Sequence, residues 1–339
     1  MKRNIGLLAL LLISILILGA CKGSAPNEAA TTVEIDSSNT KENTITEGVE
    51  KATVYASIYP IYDFAKMIAG ERVQVQQLLP MGADAHHWEP SPSDITKLEG
   101  ARLLVLNGAG LETWAEDILA ALDNPNLILV DASKGISLQA GHAHGEDEEA
   151  GEGHDEEADD HEHGQEGFDP HTWISPVLAK EQAKNIYQSL VDMDPEGKAI
   201  YSANYQELNR KLEQLDQKYR DTITALPHKD LVVSHAAFGY LASEYGLNQM
   251  AIEGLIPNSE PSLQQMAALI DYIRVHQIKA IFVEKTSHGK VAETIAAETG
   301  VKVLELSPVA SLTPEEEQAG DDYFQIMEKN LQAIQEGLN

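Results

Sequence analysis

Twelve histidines are the side chains of this 339-residue chain best suited to chemistry, and they fall into two groups. Five of them, His142, His144, His154, His161 and His163, lie between residues 141 and 168 among twelve carboxylates, with no Lys or Arg. Imidazole favours zinc, copper and nickel, and carboxylates accept many divalent ions. A solvated acidic face needs no histidines, so this tract has the composition of a metal collector. It is too polar to bury a core. The expectation is a mobile loop within the first half of the chain that offers several weak, exchanging metal sites.

A tight site needs ligands held by the fold, and seven histidines remain: His86, His87, His171, His228, His235, His276 and His288. Ligands in α/β folds gather at the carboxyl ends of strands. His86 follows the strand-like run 73–79, His235 follows the run 231–234, and His171 ends the acidic tract and opens a helix. They are 85 and 64 residues apart, so only tertiary folding can unite them. Taken alone, a histidine at a strand end is as easily a satisfied core residue. No short-range zinc motif of the HExxH or CxxC kind supports them. His87, adjacent to His86, is expected to flank the site. His228 and His276 sit near helix ends, where they favour the helix dipole or meet solvent.

The elements that must carry these residues alternate. Strand-like runs at 53–58, 73–79, 103–106 and 127–130 are separated by helix-like runs such as 61–69 and 112–121. A second set of strands at 231–234, 249–252, 280–284 and 302–306 brackets helices at 262–276 and 290–299. This βαβα order predicts α/β halves with parallel sheets covered on both faces. Between the halves, Leu208, Leu212, Leu215, Tyr219, Ile223 and Leu226 recur at steps of four and three, which puts them on one face of a long helix. Pro195 suits its start and Pro227 its stop. Such a rod either crosses between the halves or packs on one of them.

The first 20 residues read as an export signal: Lys2 and Arg3, then an apolar run from Ile5 to Leu18, then Gly19-Ala20. The run ends at Cys21, the sole cysteine, in a Leu-Gly-Ala-Cys sequence that resembles the processing box of bacterial lipoproteins. Lipidation at Cys21 would anchor the chain to the cell membrane on its outer side. Residues 21–51, rich in Ser, Thr, Asn, Ala and Glu, read as a disordered tether. A formal charge of −30 argues against nucleic acid, whose binders need Lys and Arg to displace counterions, and suits a cation.

Five stretches together resemble the zinc ABC-transporter substrate-binding proteins of the ZnuA/AdcA type: GADAHHWEPSPSD (82–94), DPHTW (169–173), VVSHAAFGYLASEYG (232–246), SEPS (259–262) and LSPVASL (306–312). The likeness runs over residues 52–338. It implies two Rossmann-like lobes with parallel sheets, joined by a long rigid helix, with one metal between them. The expected division is an N-terminal lobe at 52–193, a linking helix at 194–227 and a C-terminal lobe at 228–339. Carried over by motif, the ligands are His86, His171 and His235, and the ion is Zn²⁺. Manganese-binding relatives carry a carboxylate at the place of His235; nitrogen there favours zinc. Many members supply a fourth ligand, an acid, in a pattern like LSPLE, where this chain has Ala310. Others place Glu before the first histidine, where this chain has Ala85. The fourth position is left to water, to a histidine of the acidic tract, or to His288.

The resemblance implies a non-enzymatic monomer that works with a cognate ABC permease and ATPase. Two rivals remain at this level. Three histidines and an open position also describe a secreted zinc hydrolase or hydratase. A surface adhesin with structural zinc is the other.

Overall fold

The computed structural model describes residues 51–141, 167–256, 261–285 and 290–339. The export signal, Cys21, nearly all of the tether, the five histidines of the acidic tract and His288 lie outside the described residues.

Two four-stranded, all-parallel sheets carry the fold. The first comprises β1 (Thr53–Ala56), β2 (Gln74–Gln77), β3 (Leu103–Leu106) and β4 (Ile128–Asp131), in the order β2-β1-β3-β4. The second comprises β5 (Asp230–His235), β6 (Asn248–Glu253), β7 (Ala280–Val283) and β8 (Lys302–Glu305), in the order β6-β5-β7-β8. Both sheets therefore repeat one topology. Leu103 to Leu106 are buried throughout, as a parallel strand covered on both faces requires. The helices are α1 (Tyr59–Ala69), α2 (Pro92–Glu99), α3 (Ala115–Ala121), α4 (Pro176–Met193), α5 (Lys198–Ala225), α6 (Gly239–Tyr245), α7 (Leu263–Val275), α8 (Lys290–Thr299), α9 (Pro314–Ala319) and α10 (Tyr323–Gly337).

Departures from the sequence reading have local causes. Helix α3 begins at Ala115 instead of 112, because the Glu112 carboxylate is turned back onto the backbone N–H groups of Asn107 and Gly108. His235 is the last residue of β5, paired with Glu253, instead of following the strand. The long helix begins at Lys198, after a 3₁₀ turn at Pro195–Gly197 in which Asp194 is held by Arg72 and Tyr201. Its 28 residues span about 42 Å. Leu208, Leu212, Leu215, Tyr219 and Ile223 are buried along one face, and the helix packs on α1 and α4 of the first half and on α6 and α10 of the second. The crossing arrangement is thus the one adopted.

The second half also returns to the first. After β8, the segment 306–313 runs beside α1 and the loop following β2. Its Ala310 carbonyl accepts from Tyr59 N (3.1 Å), Leu312 O accepts from Gly82 N (3.0 Å), and Pro308 O accepts from Trp173 Nε1 (2.7 Å). Val309, buried between two of these acceptors, is held at φ 61°, a left-handed conformation that a β-branched residue rarely takes. Helix α10 completes the interlock. Tyr323 N donates to Asp63 on α1 (3.1 Å), Tyr323 OH donates to Trp173 O (2.7 Å), and its ring meets Phe64 edge-on at 4.8 Å. Burial pushes the Asp63 carboxyl up to about 6, with the Tyr323 N–H opposing the rise.

Candidate metal centre

His86, His171 and His235 converge at the carboxyl ends of the two sheets. Ring centroids lie 5.0 Å apart for His86–His171, 5.4 Å for His86–His235 and 4.9 Å for His171–His235. One nitrogen from each ring lies within 4.8 Å of the others, and among the described residues this is the one cluster of its kind. The Nε2 atoms of His86 and His171 are 3.1 Å apart. Two imidazoles on one tetrahedral zinc, at roughly 2.0–2.1 Å each, stand about 3.3 Å apart. The pair is spaced for a shared cation.

Each histidine is held in a different way. His86 sits in the loop after β2, where Gly82 takes φ 70° so that its N–H can reach Leu312 O and Ser311 Oγ. Asp84 then folds the loop onto itself: Oδ1 accepts from His86 N (2.9 Å) and Oδ2 meets His87 Nδ1 (2.6 Å). His87 therefore faces Asp84, beside the cluster, as expected. Trp88 packs edge-on against Trp114, while Glu89 is exposed.

His171 is completely buried at the N-terminal cap of the 3₁₀ turn Thr172–Ile174 that leads into α4. A polar network beneath it fixes this turn. Asn107 Nδ2 donates to Pro170 O, and Gln182 Nε2 donates to Asn107 Oδ1 and Thr172 Oγ1. The Trp173 ring stands 5.3 Å behind the imidazole. Asp169 Oδ1, itself buried, binds His171 Nδ1 at 2.7 Å and turns Nε2 toward the cluster.

His235 has the same kind of partner. Its Nδ1 meets Glu284 Oε1 at 2.6 Å, and its Nε2, on the cleft side, meets Leu255 O at 2.9 Å. A carboxylate on the far nitrogen fixes the tautomer of a metal-binding imidazole and raises its basicity. The sequence reading did not weigh Glu284, although it directly follows β7, at the strand end where the rule that found His235 also applies.

Burial sets the charge states. It holds His86 far below the ordinary imidazole value, at about 2, helped by repulsion from the other two rings. It also lowers His171, against the pull of Asp169. Burial works to lower His235 as well, but the Glu284 carboxylate and the Leu255 carbonyl carry it above 6.5. Two rings are thus held neutral, while the third holds a proton more tightly than a free imidazole.

The cluster opens into a cavity of about 560 Å³, also lined by Asp84, Glu253, Glu284 and Glu316. Ala85 and Ala310 line it too, and neither side chain has a donor atom. Of the other histidines, His276 stacks on Tyr272 and His228 lies at the β5 entry, outside the cluster.

The profile of a family described as "Zinc-uptake complex component A periplasmic" (ZnuA) matches residues 54–337. The chain is 40% identical over 301 residues to the high-affinity zinc uptake system protein ZnuA of Bacillus subtilis, covering 89% of this chain and 92% of the relative. It is 38% identical over 288 residues to the zinc-binding protein AdcA of Streptococcus pyogenes, covering 84% of this chain but only 55% of that longer protein. The crystal structure of the Zn(II)-bound ZnuA-like domain of Streptococcus pneumoniae AdcA superposes with a TM-score of 0.70 at 34% identity, covering 85% of this chain and 99% of the domain. With a likeness that extends over both sheets, the long helix and the histidine cluster, the chain belongs to the ZnuA family.

Proposed function

We propose that this protein captures Zn²⁺ outside the cytoplasm and passes it to an ABC importer. The observation that carries the reading is the meeting of His86, His171 and His235 within reach of one cation. Three nitrogens favour zinc over the harder manganese, calcium or magnesium ions. Asp169 and Glu284 orient two of the three rings. The fourth position faces the cavity, where Ala310 and Ala85 offer no donor atom, and is taken by water.

His142, His144, His154, His161 and His163 raise the local zinc concentration near the cleft. Cys21 carries the lipid that keeps the chain at the membrane. Residues 52–193, 194–227 and 228–339 act as lobe, linking helix and lobe, and a monomer docks on the permease while the partner ATPase drives uptake. The relatives are named as zinc-binding and zinc-uptake proteins, which supports binding and transfer over catalysis.

The test is anomalous diffraction at the zinc edge on the mature protein, with calorimetry of His86→Ala, His171→Ala and His235→Ala. Each variant should lose zinc affinity by more than the roughly 10–100-fold typical of a residue behind the ligands. A peak away from these rings, or three variants that still bind as the parent does, would sink the reading. Zinc-dependent ester or CO₂ hydration by the loaded protein would favour the enzyme alternative.

A further inference from the structure

The His235 nitrogen that faces the cleft already has a partner. Nε2 lies 2.9 Å from the carbonyl oxygen of Leu255, two residues beyond β6. A carbonyl only accepts, so this contact places a hydrogen on Nε2, and a metal takes that nitrogen only when the contact is given up.

The Leu255 side chain meets a different structure, the root of the histidine-rich insertion. There Gly141 N donates to Gly167 O at 2.8 Å, and an antiparallel bridge joins Ala140 to Phe168. A Cβ added at Gly141 would overlap Leu255 Cδ1 and stand 2.6 Å from Gly167 O. Leu255 therefore fills the space that a side chain at this neck would occupy. The neck is anchored on its other side: Asp169 N donates to Gln139 O, and Tyr240 OH bridges Gln139 N and Asp169 O. Asp169 is also the carboxylate on His171. One rigid strip thus ends at His171, while its free edge rests on Leu255.

We propose that Leu255 is a positioning residue that ties the neck of the insertion to the third metal-binding nitrogen. Displacement at Gly141 and Gly167 moves Leu255, and with it the hydrogen bond that competes with the metal for His235 Nε2. The proposal rests on the reading of His235 as a zinc ligand. It adds that the neck, apart from any metal held by the insertion, sets how readily that ligand is given and taken back.

A double-mutant cycle tests it in the full mature chain, using Leu255→Ala, Gly141→Ala and the pair. Zinc release into excess chelator is followed by stopped flow. ¹⁵N-histidine spectra of the metal-free proteins report each ring nitrogen separately. Each single variant should change the release rate about threefold or more, and the pair should depart from the product of the singles by about twofold or more. Leu255→Ala should shift His235 Nε2 and leave His171 Nε2 in place. Rates that simply multiply, or a His235 resonance unmoved by Leu255→Ala, would overturn the proposal. Should Gly141→Ala fail to fold, the nitrogen spectrum of Leu255→Ala decides alone. Should the parent bind no zinc at these rings, the zinc reading fails, while the spectra still judge the link from Leu255 to His235.

Discussion

Asp169 and Glu284 hold two rings of the histidine cluster from behind, and at this scale their removal is the informative change. Asp169→Asn and Glu284→Gln keep the shape and lose the charge, so each should weaken zinc binding about 10–100-fold in a competition titration. The pH dependence follows from the same groups. His86, held at about 2, releases no proton when zinc binds near neutral pH. His235, raised above 6.5 chiefly by Glu284 against its burial, does release one. Zinc affinity should therefore fall as the pH drops through the His235 value, by up to about tenfold per unit below it. Calorimetry in buffers of different ionisation enthalpy should find more than half a proton released at pH 6.5, and less in Glu284→Gln. Affinity unchanged between pH 7.5 and 5.5 would refute this. The three ligand candidates were legible because strand ends and a motif likeness pointed to the same residues. The carboxylate behind His235 was harder to see, since Glu284 pairs with a ring 49 positions away and only the sheet brings them together.

Helices that bury a regular apolar stripe were the readable ones, and α5 is the clearest case. Leu212 is fully buried at its middle, so Leu212→Ala should cost about 2–5 kcal/mol, measured as a loss in denaturant midpoint. Helix α4 was read only as a helix opening at His171, without its extent, because its buried face includes Ala179, Gln182, Ala183 and Ser189, which carry little hydrophobic contrast. Helix α10 shows a clearer stripe, but its docking on α1 rests on contacts such as Asp63–Tyr323 that span 260 residues. The burial of Asp63 at this contact predicts a pH effect of known sign. Between the ordinary carboxylate value near 4 and about 6, folded Asp63 keeps a proton that the unfolded chain has lost. Stability is then highest below this window and declines as pH rises through it, by at most about 3 kcal/mol. Asp63→Asn should flatten this part of the melting profile between pH 4 and 6.5; an unchanged slope would show that the carboxyl titrates normally.

Across the whole molecule, charge and connectivity divide the work. Twelve of the 54 acidic residues lie in the stretch 141–168. Since Gly141 N reaches Gly167 O, a two-residue turn can replace residues 142–166 without opening the neck. That variant should keep the one tight zinc site and lose the weak ones, seen as a drop in bound zinc at saturating metal; loss of the tight site instead would contradict the division. The interlock of segment 306–313 with α1 has a further consequence, in the order of synthesis. The residues that complete the surroundings of Tyr59, Gly82 and Trp173 leave the ribosome well over 100 residues after those they complete. A nascent chain ending before residue 306 has its first sheet but not the strand of backbone that seals it. The surroundings of the first sheet are thus completed only after the strands of the second sheet have been made, and loop closure over more than 200 residues makes that a late event.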